Sequence, residues 1–144
     1  MPIRLLSRLC DFLLLFAAGA LFGACLTAKL QTGSYGLAMP DAPYLYERSD
    51  FFLDASFAGL VAWLALAVAE RFTPLGRSAI GRAVAGMGAA LLAIYLGPPA
   101  PIVFGNTWAR WEPTYELFLA QWDIALPLAV AVVAARQGIR KLRP

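Results

Sequence analysis

Histidine is absent from this chain of 144 residues. Without imidazole there is no such ligand for haem, copper, zinc or a chlorophyll magnesium, and no Ser-His or Cys-His nucleophile pair. No metal ion or cofactor is expected. Cysteine is scarce as well. Cys10 and Cys25 lie on the same apolar segment, where a helix would hold them roughly 22 Å apart, beyond disulfide reach. The spacing rules out a bond between them within one chain and argues against a thiol-disulfide relay.

Charge is the third scarcity. Asp, Glu, Lys and Arg make up 15% of the residues against 60% hydrophobic, and the mean hydropathy is +0.66. An ordinary soluble domain is about one-quarter charged, so the lipid bilayer is the expected surrounding. The net charge of +3 comes from basic residues gathered at segment ends, which orients a membrane chain and does not suggest nucleic acid. Arginine outnumbers lysine ten to two, and alanine and leucine dominate. This usage points to a GC-rich bacterial genome and so to a bacterial inner membrane.

Four apolar stretches, about 5–30, 51–71, 79–97 and 114–135, approach or exceed the ~20 residues that cross a bilayer as a helix. They predict an all-α polytopic protein, one integral membrane domain over 1–144, with four transmembrane helices in a bundle. Glycine and proline punctuate the connections, at Gly33, Gly36, Pro40 and Pro43, at Pro74 and Gly76, and from Pro98 to Pro113. Arg4 and Arg8 precede the first span, Arg71, Arg77 and Arg82 flank the middle connection, and Arg136, Arg140, Lys141 and Arg143 follow the fourth. The other two connections mix Lys29, Arg48 and Arg110 with acids. The positive-inside rule then predicts cytoplasmic N- and C-termini.

Small residues recur at helix-packing spacing: Gly19 and Gly23, Ala55 and Gly59, and Gly81 with Ala85. Close backbone approach lets van der Waals contact drive helix association in lipid. The pattern suits internal packing, or a face for another subunit at Gly19 and Gly23.

Each charge can be given a depth. Asp11 and Arg82 both fall near the inner boundary, where they form a candidate intramembrane pair; snorkelling to the interface would also satisfy them. Asp54 falls near the outer boundary and suits capping of its helix. On the fourth span, Glu112, Glu116 and Asp123 would share one face of a continuous helix. Asp123 then lies roughly 15 Å below Pro113, close to the bilayer midplane. Pro127, four residues on, cannot donate to the Asp123 carbonyl and marks a candidate bend. Asp123, Glu116 and Asp11 are the candidate ion or proton site. The alternative is that Asp123 hydrogen-bonds a neighbouring helix and fixes its register. Trp108, Arg110, Trp111 and Tyr115 form an outer aromatic patch suited to the headgroup belt or to a protein partner.

The reading that needs least chemistry is a non-catalytic accessory or assembly subunit of a larger membrane complex, embedded in lipid and contacting another membrane protein or a second copy. A small proton- or cation-coupled transporter is the alternative, resting on the fourth-span carboxylate. An enzyme is disfavoured, because Asp11, Asp54 and Asp123 sit at three different depths and cannot share a proton.

Overall fold

Residues 2–32 form a single helix, α1 (Pro2–Thr32), because nothing in this apolar run breaks it. It stops where Gly33 turns left-handed (φ +71°) and donates its N–H to the Lys29 carbonyl at 2.9 Å, a glycine-specific ending. The coordinates, a computed structural model, describe residues 2–141, with side chains from Leu5 onward. Arg143 and the side chain of Arg4 lie outside the described residues.

Helix α2 (Arg48–Phe72) begins at a capping arrangement in which Asp50 accepts the Glu47 N–H at 2.8 Å. A 3-10 turn over Pro74–Arg77 leads to α3 (Ala79–Leu96), whose N-cap, Ser78, accepts from the Gly81 N–H at 2.9 Å. A longer connection ends in the short α4 (Glu112–Leu117). A 3-10 turn (Leu119–Gln121) then enters α5 (Trp122–Lys141). Among the described residues no strand forms beyond a single bridge between Ala42 and Tyr46. The fold is an all-α four-helix bundle. Four segments, Leu5–Thr32, Arg48–Phe72, Ala79–Leu96 and Glu112–Lys141, are long and apolar enough to span a bilayer. The chain is a small multi-pass membrane protein.

The connections alternate, so residues near both termini and the 73–78 turn share one end, here called proximal. The 33–47 and 97–111 connections share the distal end. Helices α1 and α3 run parallel and touch, with α2 and α5 each packed against both. Glycine permits that contact: a methyl added at Gly97 would lie 2.6 Å from the Gly19 Cα, and one at Gly19 3.0 Å from the Ala93 carbonyl oxygen. At Gly59 the nearest atoms would be the Phe16 backbone, at 3.0 Å. Gly23 faces Phe51 and Pro98, Gly81 abuts Leu75, and Ala55 and Ala85 are buried. All six small residues thus lie at contacts within the chain.

The fourth crossing departs from the expected continuous span. Phe118 adopts φ −130° and ψ −62°, which ends α4, and a new helix starts at Trp122. Twenty residues of α5 rise about 30 Å, enough to cross the hydrocarbon alone.

Candidate functional site

The buried stripe of α1 runs Asp11, Leu15, Ala18, Phe22, Leu26 at helical spacing. A carboxylate therefore occupies the proximal end of an otherwise apolar seam. Its partner comes from α5, whose own stripe, Ala125, Ala129, Val132, Arg136, ends in a guanidinium. Arg136 donates from Nε to Asp11 Oδ1 at 2.8 Å and from Nη2 to Asp11 Oδ2 at 3.3 Å. The same Nη2 reaches Glu70 Oε1 of α2 at 2.7 Å, and Nη1 donates to the Arg82 carbonyl at 3.3 Å. Arg140 and Arg8 add bonds to Glu70 at 3.1 and 3.2 Å. Asp11, Glu70 and Arg136 side chains are 4, 8 and 6% exposed, so this is a buried ion network tying α1, α2 and α5. Planar guanidinium, with five donors, suits a site shared between two carboxylates and a carbonyl.

The expected Asp11–Arg82 pair does not form. Arg82 instead donates to the Gly76 carbonyl at 3.1 Å, closing the 3-10 turn onto α3. Arg136 takes Asp11 because it emerges on the same buried seam, whereas Arg82 emerges beside the turn.

Asp123 is also displaced from its expected depth. It stands in the first turn of α5 and accepts from Lys29 Nζ at 2.9 Å, a residue in the last turn of α1. It stands level with the last turn of α1 and the distal connection, and the helix expected to run unbroken from Pro113 is interrupted at Phe118. Tyr35, in the distal connection, donates its hydroxyl to the same carboxylate oxygen, Oδ2, and Lys29 lies 5.2 Å from the Tyr35 ring centroid. That hydrogen bond to a carboxylate, with its negative charge, holds the Tyr35 phenol above the ordinary tyrosine range. The Lys29 and Asp123 side chains are each 27% exposed, so this cluster is wetter than the proximal one. Asp123 Oδ1 and the nearby Gln121 Oε1 are buried without a partner among the described residues.

The acids of the fourth crossing form no row. Glu112 accepts the Ala109 N–H at 2.7 Å, the exposed Glu116 gives only its carbonyl to Gln121 Nε2 at 3.0 Å, and both precede the break. Pro127 lies inside α5 on its exposed side. Asp54, expected as a cap, instead accepts the Tyr46 hydroxyl at 2.8 Å while Asp50 does the capping. Burial, together with that carboxylate, raises the Tyr46 phenol well above its ordinary value.

Between the clusters the core is apolar: Leu15, Phe22, Leu26, Ala90, Ala93 and Ala129 are all at most 2% exposed. Thr27, also buried there, bonds the Gly23 carbonyl of its own helix at 2.8 Å.

The distal aromatic residues divide. Trp108 is folded in, its Nε1 donating to the Pro101 and Gly105 carbonyls at 2.9 and 2.8 Å. Trp111 and Tyr115 are 70% and 59% exposed, and Arg110 lies over the Trp111 ring at 5.8 Å. Trp111 holds φ +70°, a strained conformation for a bulky residue.

Of the participants that sequence reasoning passed over, Tyr35 among them, Glu70 left a signal. It follows Ala62 and Leu66 at four-residue spacing on the buried side of α2, a signal that marks it as core-facing. Arg136 was legible in the same way, from Ala129 and Val132. Comparison with known proteins finds no matching family model, no matching curated protein and no matching solved structure.

Proposed function

We propose that this protein is a non-catalytic accessory or assembly subunit of a larger membrane complex, in a bacterial inner membrane with both termini in the cytoplasm. The observation that carries this reading is the closure of the buried charges upon one another, with an apolar core between the two clusters. A coupled transporter needs an ionisable group that changes partners along a path. The carboxylate that suggested one, Asp123, is engaged by Lys29 and Tyr35 at the distal end. What the chain offers its surroundings is surface: Arg110, Trp111 and Tyr115 stand exposed beside the distal connections. Exposed aromatic and arginine side chains are the residue types that dominate protein interfaces.

The orientation rests on charge. Arg8, Arg71, Arg77, Arg82, Arg136, Arg140 and Lys141 share the proximal end with Asp11 and Glu70, whereas Lys29, Arg48 and Arg110 share the distal end with Asp41, Glu47, Asp50, Asp54, Glu112, Glu116 and Asp123. An excess of arginine on one side is the cytoplasmic signature.

The test is recovery of the tagged full chain from its native membrane in mild detergent, followed by mass spectrometry. A stoichiometric partner is expected, and it should be lost from a Trp111→Ala/Tyr115→Ala variant that still purifies folded. A homogeneous homo-oligomer without a partner, moving protons or cations across reconstituted vesicles, overturns the reading.

A further inference from the structure

At the proximal end a cavity of about 150 Å³ lies between α3 and α5. One water needs only ~10–15 Å³ of such space, so a polyatomic group fits. Four cationic residues line it: Arg82 from the first turn of α3, and Arg136, Arg140 and Lys141 from the last turns of α5. Gly86 and Val133 are among the small and apolar residues of its wall.

Charge around the cavity is unbalanced. The acids of this end, Asp11 and Glu70, bind Arg136, Arg140 and Arg8, and neither lines the cavity. Arg82 has no carboxylate partner among the described residues; its one side-chain bond goes to the Gly76 carbonyl. The N-terminus of α3 adds the positive end of its helix dipole. The whole stands at the proximal ends of two spanning segments, α3 and α5. One turn nearer the middle of the bundle, Val130 lies on the same face of α5 as Val133 and is 53% exposed, which is apolar surface for an acyl chain.

We infer that this cavity between α3 and α5 is a binding site for the phosphate of an anionic phospholipid. Basic pockets between transmembrane helices hold such headgroups. A zwitterionic lipid offers the same phosphate, but its ammonium group meets the same arginines and is repelled. The lipid would bridge α3 and α5 at their proximal ends. The inference depends on the charge and shape of the cavity, and not on what the distal surface binds.

The experiment is native mass spectrometry of the full purified chain in micelles doped with dioleoyl phosphatidylglycerol or with dioleoyl phosphatidylcholine. The expected result is selective retention of phosphatidylglycerol, roughly fivefold weaker in Arg82→Gln and again in Lys141→Gln, since one basic residue near a membrane surface contributes about that factor. Arg77→Gln removes the same charge from an exposed position of the same end outside the cavity, and should retain lipid as the parent does. Gly86→Leu fills the space without changing charge: a Cβ at Gly86 already lies 3.4 Å from Arg136 Nη1. It should also release the lipid. Lys141 is exposed on the last described turn, so its variant remains informative if Arg82→Gln folds poorly. Equal retention of the two lipids, or equal losses in Arg77→Gln and Arg82→Gln, overturns the site. Displacement of phosphatidylglycerol by millimolar inorganic phosphate alone assigns the cavity to a free anion and overturns the lipid.

Discussion

Arg136 with Asp11 and Glu70 at one end, and Lys29 with Asp123 and Tyr35 at the other, use the same chemistry in different surroundings. Each places a cation against carboxylate at a helix end, and the Arg136–Asp11 and Lys29–Asp123 pairs each span more than 90 residues of sequence. The proximal group is almost dry and joins three helices. In the distal group Lys29 and Asp123 are about a quarter exposed and Tyr35 is 71% exposed, and it joins the last turn of α1 to the first turn of α5 and one loop tyrosine. Coulomb attraction is stronger in the dry site, but so is the cost of taking the charges out of water. The difference therefore lies less in what each cluster contributes when complete than in what happens when it is broken.

Breaking the proximal group should have the largest effect. Arg136→Met strips buried Asp11 of both its guanidinium hydrogen bonds. It leaves only the partly exposed Arg8, 3.9 Å from Asp11 and 3.2 Å from Glu70, and Arg140 beside the acids. Removing one member of a buried pair costs up to about 3–5 kcal/mol. Loss of the folded chain at detergent or temperature midpoints far below the parent's would show it. Neutralising the acids in the same chain, with Asp11→Asn and Glu70→Gln, should return much of that loss. A triple variant as unstable as Arg136→Met alone would mean that packing of the arginine stem, and not its charge, holds this end.

Gly97→Val attacks the contact between α1 and α3 without touching either cluster. Its first methyl would already fall 2.6 Å from the Gly19 Cα, so the helices must separate, at a cost of about 1–3 kcal/mol or more. The same unfolding measurement applies, and Gly88→Val is the control, because nothing lies within 4 Å of a Cβ there.

Asp123→Asn sharpens the contrast from the weak side. A partly exposed ion pair contributes roughly 0–1 kcal/mol, and the amide still accepts from Lys29 and Tyr35. A double-mutant cycle between Lys29 and Asp123 should thus return a much smaller coupling than one between Asp11 and Arg136. Equal couplings would show that the distal end is as dry in the membrane as the proximal one.

The smallest effect is one of pH. The Tyr46 phenol is held protonated in the fold, above the value of about 10 that a tyrosine has in the unfolded chain. Its contribution is fully present below pH ~10 and is lost above it, as the unfolded chain alone releases the proton. Stability measured across that alkaline range should fall less steeply in Tyr46→Phe than in the parent. Parallel curves would remove Tyr46 from the account.

The crossings were legible because length and apolarity are local properties of a run of residues. The small residues at contacts within the chain were legible too, since Gly19 with Gly23, Ala55 with Gly59 and Gly81 with Ala85 each fall at the four-residue spacing of a helix face. The partners within each cluster were less accessible. Asp11 and Arg82 share a depth, and depth alone proposed them as a pair. The choice of Arg136 depends on the rotation of α5 about its axis, visible in the sequence only through its place on the Ala129 and Val132 stripe. Asp123 was misplaced for a different reason. Its expected depth assumed a helix unbroken from Pro113, yet no glycine or proline stands at Phe118 to announce the interruption.

By itself the sequence determined that this is a four-span membrane protein with its basic residues gathered at one end, because long apolar runs have to leave water and their flanking charges have to remain near it. Tertiary structure alone decided which charges are satisfied by which, and at what depth. Those outcomes depend on helix rotation and on one local break in the backbone, and an ion pair between residues 125 positions apart exists only after the helices have packed.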